Sequence, residues 1–370
     1  MSTIGATLAE ALAWLRAGRP VALASVVEVE GSAPFEPGAT MAVDAGGAVE
    51  GSVTGGCVES AVAEAAIALL AGEEQLRMLR FGISDELAGS VGLTCGGTVH
   101  IAVRRLGDGD RSLLARLVEA EAAKLPAAVA TVLDGPAAGE VVAVFGADQA
   151  GDLAASPELE RHVRREIAGM LRQGTSGVRR YGADGSRLGS EEVRVFFHVR
   201  GAPPRLLIVG AVDFSAALAP LAAAIGFEVT ICDARPAFSG SARFRRAAQV
   251  VTCWPQEAIE RFGLGPRDAL LVFSHDPKFD EPALLAALQT EAGYIGALGS
   301  RRTVADRHRR LAESGAGEAD LERIHSPAGL DIGARDAEET AISILAEILA
   351  VRSGRSGGPL REAQGPIHAR

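Results

Sequence analysis

Arg205-Leu-Leu-Ile-Val-Gly210 is the stretch that most narrows what this 370-residue chain can fold into. An unbroken apolar run of strand length ends in glycine. A helical pattern follows from Ser215 to Ile225, then a second apolar run, Phe227-Glu-Val-Thr-Ile-Cys-Asp233. Strand-like runs return at 249–253, 269–274 and 293–298, with helical patterns between them. Strands apolar throughout are buried on both faces, and their alternation with helices requires a parallel sheet joined by right-handed crossovers. A closing helix, Ala337 to Val351, is apolar on nearly every side and is expected to be largely buried. The tail that follows, Arg352-Ser-Gly-Arg-Ser-Gly-Gly-Pro359, has the composition of a flexible linker.

The first half is organised differently. Leu8, Leu12 and Leu15 recur at helical spacing over residues 7–17, and Gly18 provides the stop. Val21 to Val27 and Thr40 to Asp44 read as strands, with the Gly/Pro loop Glu30-Gly-Ser-Ala-Pro-Phe-Glu-Pro-Gly38 between them. A return strand runs from Ala48 to Val53, and a helix is expected from about Val58 to Leu70. Further strands are expected at 77–81, 98–103, 127–133, 140–145, 176–181 and 192–199, with helices over 110–124 and Pro157–Arg172. Gly201-Ala-Pro-Pro204 is the clearest linker. The expected organisation is α/β: a mixed α+β domain over 1–200, in which 105–200 is a weakly diagnostic extension, a parallel-sheet domain over 205–352, and a flexible tail over 353–370.

Strand, Gly210, helix, second strand and then Asp233 follow the outline of a Rossmann unit, with the acid about 20 residues beyond the glycine. The phosphate-binding turn departs from G-x-G-x-x-G. It reads Gly210-Ala-Val-Asp-Phe-Ser215, with Val212 where the backbone would approach a pyrophosphate. Asp213 adds a carboxylate at the helix start that would receive the anion, or else caps that helix. NAD(P) binding through this turn is therefore not expected. A better anion candidate is Gly299-Ser300-Arg301-Arg302, where a strand runs into a helix behind a serine cap. The alternative is that the two arginines are simply solvated. Ser274-His275-Asp276-Pro277 closes the preceding strand, and strand ends of this kind open onto the ligand crevice of an α/β sheet. His275 is a ligand or acid–base candidate there, or a structural hydrogen-bonder. Asp331, in Gly329-Leu-Asp-Ile-Gly333, is a turn residue or a site carboxylate.

Two segments set a cysteine against paired glycines and a threonine: Gly51-Ser-Val-Thr-Gly55-Gly56-Cys57-Val-Glu59, and Leu93-Thr-Cys95-Gly96-Gly97. Glycine neighbours leave a thiol uncovered, and the start of a helix, where Cys57 is expected, favours a thiolate. The two loops read as the mouth of one small-molecule site, with Cys57 and Cys95 as its chemically active, catalytic-type groups and Glu59 beside them. No C-x-x-C occurs and no G-x-S-x-G forms an elbow between a strand and a helix, so neither a zinc site nor a hydrolase is indicated, and no metal ligands are assigned. Cys232 and Cys253 read as core residues.

Composition removes other classes. A net charge of −10 is wrong for a general nucleic-acid or anionic-membrane binder, and 4% aromatic content gives little for stacking on bases. No run of about twenty apolar residues offers a membrane span. The start of the chain lacks the pattern of a secretory signal, and four cysteines are too few for a disulfide framework, so a cytoplasmic location is expected, with a single Cys57–Cys95 bridge as the alternative.

Gly31-Ser-Ala-Pro, Pro37-Gly-Ala, the Cys57 and Cys95 segments, Ser274-His-Asp-Pro277, Tyr294-Ile-Gly-Ala-Leu-Gly-Ser-Arg-Arg302, Gly329-Leu-Asp-Ile-Gly333 and Glu338-Glu-Thr-Ala-Ile-Ser-Ile-Leu-Ala-Glu347 together resemble the XdhC/CoxI family. The resemblance covers most of the chain from about residue 8 to 352. It implies an N-terminal XdhC/CoxI-type domain and a Rossmann-like C-terminal domain. It implies a maturation factor that transiently binds molybdenum cofactor, assists its sulfuration with a cysteine desulfurase, and hands it to a xanthine dehydrogenase-type molybdenum hydroxylase. Members are often labelled xanthine dehydrogenase by association, but the cysteine-rich iron–sulfur patterns of such an enzyme are missing here. On this reading Cys57 and Cys95 line the N-terminal site with Gly55, Gly56, Glu59, Gly96 and Gly97. Arg301 and Arg302, with Gly299 and Ser300 before them, hold the pterin phosphate, His275 and Asp276 are further cofactor-binding residues nearby, and a homodimer is expected. The rival functions are an NAD(P)-dependent oxidoreductase using the second domain, and a regulatory protein that keeps only the fold.

Overall fold

The computed structural model describes residues 3–31, 35–82, 97–153, 156–182, 192–245, 248–274 and 276–363. Between Ala202 and Pro203 the chain divides into two compact units. No described helix is long and apolar enough to cross a membrane.

The first unit runs α1 (Thr3–Arg16), β1 (Val21–Glu30), β2 (Thr40–Asp44), β3 (Val49–Gly51), α2 (Glu59–Ala71), β4 (Leu76–Phe81), β5 (Thr98–Arg105), α3 (Asp110–Ala122), β6 (Ala127–Val132), β7 (Val141–Phe145), β8 (Asp148–Gly151), α4 (Pro157–Gln173), β9 (Gly177–Gly182) and β10 (Glu192–Arg200). Its strands form two antiparallel five-stranded sheets, β3-β2-β1-β5-β4 and β8-β7-β6-β10-β9. Side chains alternate across each strand, so each sheet has two distinct faces. Ala22, Ala24 and Val26 of β1 join Met41, Ile101 and Val103 under Val62, Ala66 and Leu69 of α2. Phe197, Ala130 and Val142 pack beneath Leu159, Val163, Ile167 and Met170 of α4. Those four residues lie on one stripe of a helix capped by the Ser156 hydroxyl and ended by left-handed Gly174. The other two sheet faces look toward each other, with α1 and α3 packed at their side through Leu8, Leu12, Leu113 and Leu117. β8, a short strand pairing with β7, is an addition to the expected strands, because Asp148-Gln-Ala-Gly carries no strand pattern of its own.

The second unit runs β11 (Arg205–Val209), α5 (Asp213–Ala224), β12 (Glu228–Cys232), α6 (Pro236–Ser239), α7 (Ala242–Arg245), β13 (Gln249–Val251), α8 (Pro255–Phe262), β14 (Ala269–Val272), α9 (Pro277–Leu288), β15 (Tyr294–Ala297), α10 (Arg301–Glu313), α11 (Glu318–Glu322), β16 (Ile324–His325) and α12 (Ala337–Ser353). All six strands are parallel, in the order β13-β12-β11-β14-β15-β16. The order reverses between β11 and β14, the topological switch of a Rossmann sheet. One apolar layer lies under α5 and α12, the other under α8 and α9. The expected mixed α/β class, with a Rossmann-type parallel sheet in the second half, is therefore what the chain adopts. Two details differ. α12 buries Ala341, Ile344, Leu345 and Ile348 but leaves Ile342 54% exposed and Leu349 36% exposed, so it is covered on one side only. Cys253 lies beyond the end of β13 and is half-buried, whereas Cys232 is fully buried.

Candidate functional site

Residues 52–58 of the first unit wrap around one carboxylate. Glu59 opens α2 and turns its side chain back onto the loop that precedes it. Its Oε1 accepts the Ser52 hydroxyl at 2.6 Å and the N–H groups of Val53, Thr54 and Gly55 at 3.2, 2.8 and 3.0 Å. Its Oε2 accepts the Thr54 hydroxyl at 2.9 Å and the N–H groups of Gly56 and Val58 at 2.8 and 3.2 Å. Burial opposes ionisation of this carboxyl. The hydrogen bonds from Ser52 and Thr54 outweigh it and hold the group at about 2. Gly55 and Gly56 take φ of +82° and +120°, a conformation that turns successive N–H groups inward and that side-chain-bearing residues rarely adopt.

Cys57 sits immediately before the N-cap Val58. Its thiol is half-buried against the apolar layer under α2 rather than uncovered, because the loop folds inward around Glu59. Phe35 reaches over Gly55, where an added Cβ would stand 3.2 Å from the ring. Cys95 and Gly96 lie outside the described residues; Gly97 is buried at the start of β5. Register places the flanks of both cysteine segments at one end of the first sheet. Thr98 pairs with Glu30 at the end of β1, Ser25 pairs with Thr40 at the start of β2, and Met41 pairs with Gly51 at the end of β3.

In the second unit, the carboxyl ends of β11, β12 and β14 surround a small crevice of about 10 Å³ lined by Gly210, Asp233, Arg235, Ser274 and Phe279. Gly210 is required by close approach: at φ +108°, a Cβ would stand 2.9 Å from the Ser274 nitrogen. Asp233, at the position of a ribose-binding acid, is engaged internally. Its oxygens accept Ala211 N–H at 2.8 Å, Arg235 N–H at 2.9 Å, and the Arg235 guanidinium at 2.9 and 2.8 Å. Burial disfavours the Asp233 anion, but Arg235 and these N–H groups hold the carboxyl below its usual range. Asp213 does not cap α5. It is the first helical residue after Val212, is exposed, and pairs with Arg243, which compensates its charge at the helix start.

Asp276 caps α9, accepting Lys278 N–H at 3.2 Å and pairing with Lys278 Nζ at 3.2 Å. Its own N–H donates to Ser274 Oγ at 3.2 Å. His275 lies outside the described residues. One strand away, Ser300 caps α10 by accepting Thr303 N–H at 3.2 Å, with Gly299 just before it. Asp276 and Gly299–Arg302 therefore stand at the same edge of the parallel sheet. Arg301 and Arg302 are exposed on the first turn of α10, a turn without an acidic residue, and neither has an ion-pair partner among the described residues. Asp331 is exposed in the loop before α12.

Three residues that shape this edge were not singled out in the sequence. Arg307 is buried within the arginine-rich run of α10. It donates to the Leu298 carbonyl at 2.8 Å and the Ser326 hydroxyl at 2.9 Å, and lies 3.5 Å from Asp280. It thereby fixes the strand end that leads into Gly299. Burial pushes the Asp280 carboxyl up to about 6, against the opposing pull of Arg307. Glu347 joins three of the recognised motifs: it accepts the Tyr294 hydroxyl and Gly329 N–H at 2.7 Å, and stands 3.4 Å from His325 Nδ1. Their signal was only a charged residue at an inward helical position. Among the described residues, no three His, Cys, Asp or Glu side chains converge as a metal-binding group. The Cys57 loop and the Arg301–Arg302 turn belong to different units.

Residues 14–82 match the family described as XdhC and CoxI family, and residues 206–348 match the XdhC Rossmann domain. The chain is 28% identical to a probable xanthine dehydrogenase component of Bacillus subtilis, over 89% of this chain and 92% of that protein. It is 30% identical to the molybdenum cofactor insertion chaperone PaoD of Escherichia coli, over 91% of this chain and 85% of that protein. A crystal structure from Bacillus halodurans, described as that of a xanthine dehydrogenase, shares the fold with a TM-score of 0.63 at 24% identity, over 96% of this chain and 98% of that one. With both halves matched in order and a relative at 30% identity along nearly its whole length, this chain belongs to the XdhC and CoxI family.

Proposed function

We propose that this chain is a cytoplasmic chaperone that binds molybdenum cofactor as cargo, assists its sulfuration, and delivers it to a molybdenum hydroxylase of the xanthine dehydrogenase type. The observation that carries this reading is the Arg301–Arg302 turn, without an ion-pair partner among the described residues. Cations at a helix N-terminus oppose the helix dipole, by about 0.3–1 kcal/mol each, and an anion bound there reverses the sign of that interaction. A guanidinium fork suits the phosphate of a pterin. Cys57 supplies a free thiol, a soft ligand for molybdenum or a carrier of sulfur, and Cys95 is its proposed companion. The relative named as a molybdenum cofactor insertion chaperone points the same way. A cysteine desulfurase as sulfur source and a homodimeric state belong to the same proposal.

The test is anaerobic binding of molybdenum cofactor to purified protein, together with activation of a cofactor-free client enzyme. Cys57→Ala should retain cargo but lose activation; Arg301→Glu/Arg302→Glu should lose cargo. Failure of the wild-type protein to bind the cofactor sinks the proposal.

The strand order alone favours a second reading, a nicotinamide dinucleotide at the switch between β11 and β14. Against it, Asp233 already receives four internal donors and Val212 replaces a glycine. Calorimetric binding of NAD or NADP at micromolar concentration would favour this second reading.

A further inference from the structure

The two sheets of the first unit face each other, and every second residue of β1, β5, β6 and β10 points into the space between them. Facing sheets stand roughly 10 Å apart, and their inner positions are ordinarily filled by interlocking apolar side chains. Leu23, Leu133 and Phe196 fill that role here, but Ser25, Thr40, Thr131 and His198 occupy inner positions among them. Register sets Ser25 opposite Thr40, Phe196 opposite Thr131, and His198 opposite Val129. Leu8 of α1 and Leu113 and Leu117 of α3 wall one side. The result is a cavity whose room for the centre of a water-sized sphere is about 60 Å³.

The polar groups around it fall into two sets. One is already engaged: the Ser25 and Thr40 hydroxyls lie 3.1 Å apart, and Thr40 donates to the Gly38 carbonyl at 2.9 Å. Arg104 is held by Asp110 at 2.8 and 3.1 Å, and Arg200 Nε by Glu121 at 2.7 Å. The other set has no hydrogen bond to any of the described residues: the His198 imidazole and the Thr131 hydroxyl. Protein surrounds the His198 ring, and the surface it keeps open faces the cavity. Burial, reinforced by Arg200, pushes its pKa down to about 4, so at neutral pH it offers one N–H donor and one bare nitrogen acceptor. Both side chains are partly buried at the cavity wall, and an apolar cavity of this kind accepts small hydrophobic molecules.

We propose that this cavity binds a small, neutral, mostly apolar ring compound carrying one or two hydrogen-bonding atoms, recognised by His198 and Thr131. Neutrality follows from the two guanidiniums being matched by carboxylates and the imidazole being uncharged. A flat ring suits a gap between facing sheets, here lined by Leu23 of one sheet and Phe196 of the other. The site shares no residue with the Cys57 loop or the Arg301–Arg302 turn, so its failure leaves the chaperone reading untouched, and the reverse also holds.

The experiment titrates the full chain with indole and with its hydrocarbon isostere indene, followed by calorimetry and by the imidazole resonances of His198. Indole binding should exceed indene binding by about ten-fold, the worth of one buried hydrogen bond. His198→Leu should erase that preference while keeping indene binding. Leu117→Trp, or the milder Leu117→Phe, should abolish binding of both while cooperative unfolding is retained. Absence of binding at millimolar probe, binding that survives filling at Leu117 in a folded variant, or equal affinity for indole and indene in the wild type would each overturn the proposal.

Discussion

Thr54 meets both oxygens of Glu59: its N–H donates to Oε1 at 2.8 Å and its hydroxyl to Oε2 at 2.9 Å. The acid that follows Gly-Gly-Cys in the sequence is thus the post around which the cysteine loop is wound. A loop built this way presents Cys57 in one defined position, because each peptide from Val53 to Gly56 is tied to the same carboxylate.

Glu59→Gln should destabilise the first unit by about 2 kcal/mol at neutral pH, since the amide replaces one acceptor with a donor facing N–H groups. The sign with pH follows from the depressed carboxyl. Its folded-state pKa of about 2 lies below the ordinary 4.5, so the stabilisation is complete above the ordinary value and disappears as pH falls through about 2. Urea unfolding of the wild type and variant should converge between about pH 5 and about pH 2. A gap that stays constant with pH would show that the ionised carboxylate is not the cause.

Arg302→Glu should raise stability slightly, by about 0.5 kcal/mol, because it replaces a cation with an anion at the N-terminus of α10. The same change should weaken binding of any phosphate-bearing cargo. Thermal unfolding and cargo binding should therefore move in opposite directions, the pattern of a residue kept for a ligand rather than for the fold.

Arg307→Met should be far more costly, about 3–5 kcal/mol, because it leaves the buried Asp280 carboxylate without a counterion. Asp280 titrates at about 6 in the fold against 3.8 ordinarily, so its protonated form is the one the fold favours, and its contribution declines as pH rises through about 6. Removing the guanidinium strengthens that preference. The loss measured by chemical unfolding should be larger at about pH 8 than at about pH 5.

Cys232 and Cys57 should differ sharply toward alkylation. Cys232 is fully buried, lies 3.8 Å from Cys253 Sγ, and donates to the Cys253 carbonyl at 3.3 Å. Burial, then the neighbouring Cys253, pushes its thiol well above the ordinary range. Only a thiolate alkylates readily, so mass spectrometry after a timed iodoacetamide pulse should find Cys57 modified before Cys232. Modification of Cys232 should track the unfolded fraction as urea is added.

Much of the fold was legible in the order of residues. The unbroken apolar runs from Leu206 onward, each followed by a helical pattern, specify parallel strands because only strands covered on both faces can be apolar throughout. The glycine pair beside Cys57 announces positive φ, and Gly299-Ser300 announces a capped helix start, since both depend on backbone preferences local to a few residues. Val212 marks the departure of the first turn from a dinucleotide fingerprint for the same local reason.

Partner choice was not legible, because it depends on which distant residues the chain brings together. Asp233 reads as a ribose acid until Ala211 and Arg235 are found on its oxygens. Asp213 reads as a bare charge until Arg243 reaches it from α7. Arg307 stands among several arginines, and only packing shows it buried beside Asp280 while Arg301 and Arg302 stay in solvent. The first unit makes the same point on a larger scale. His198 and Thr131 are unremarkable polar residues on two strands until the sheets are set face to face, which turns them toward an apolar cavity. Local order of residues specified most of the elements, their class and the glycine-rich turns, because those follow from local sterics and hydrophobic period; β8, which borrows its partner β7, is the exception. Tertiary structure alone decided which charges are spent on the fold and which remain for a ligand, because a long-range contact has no local signature.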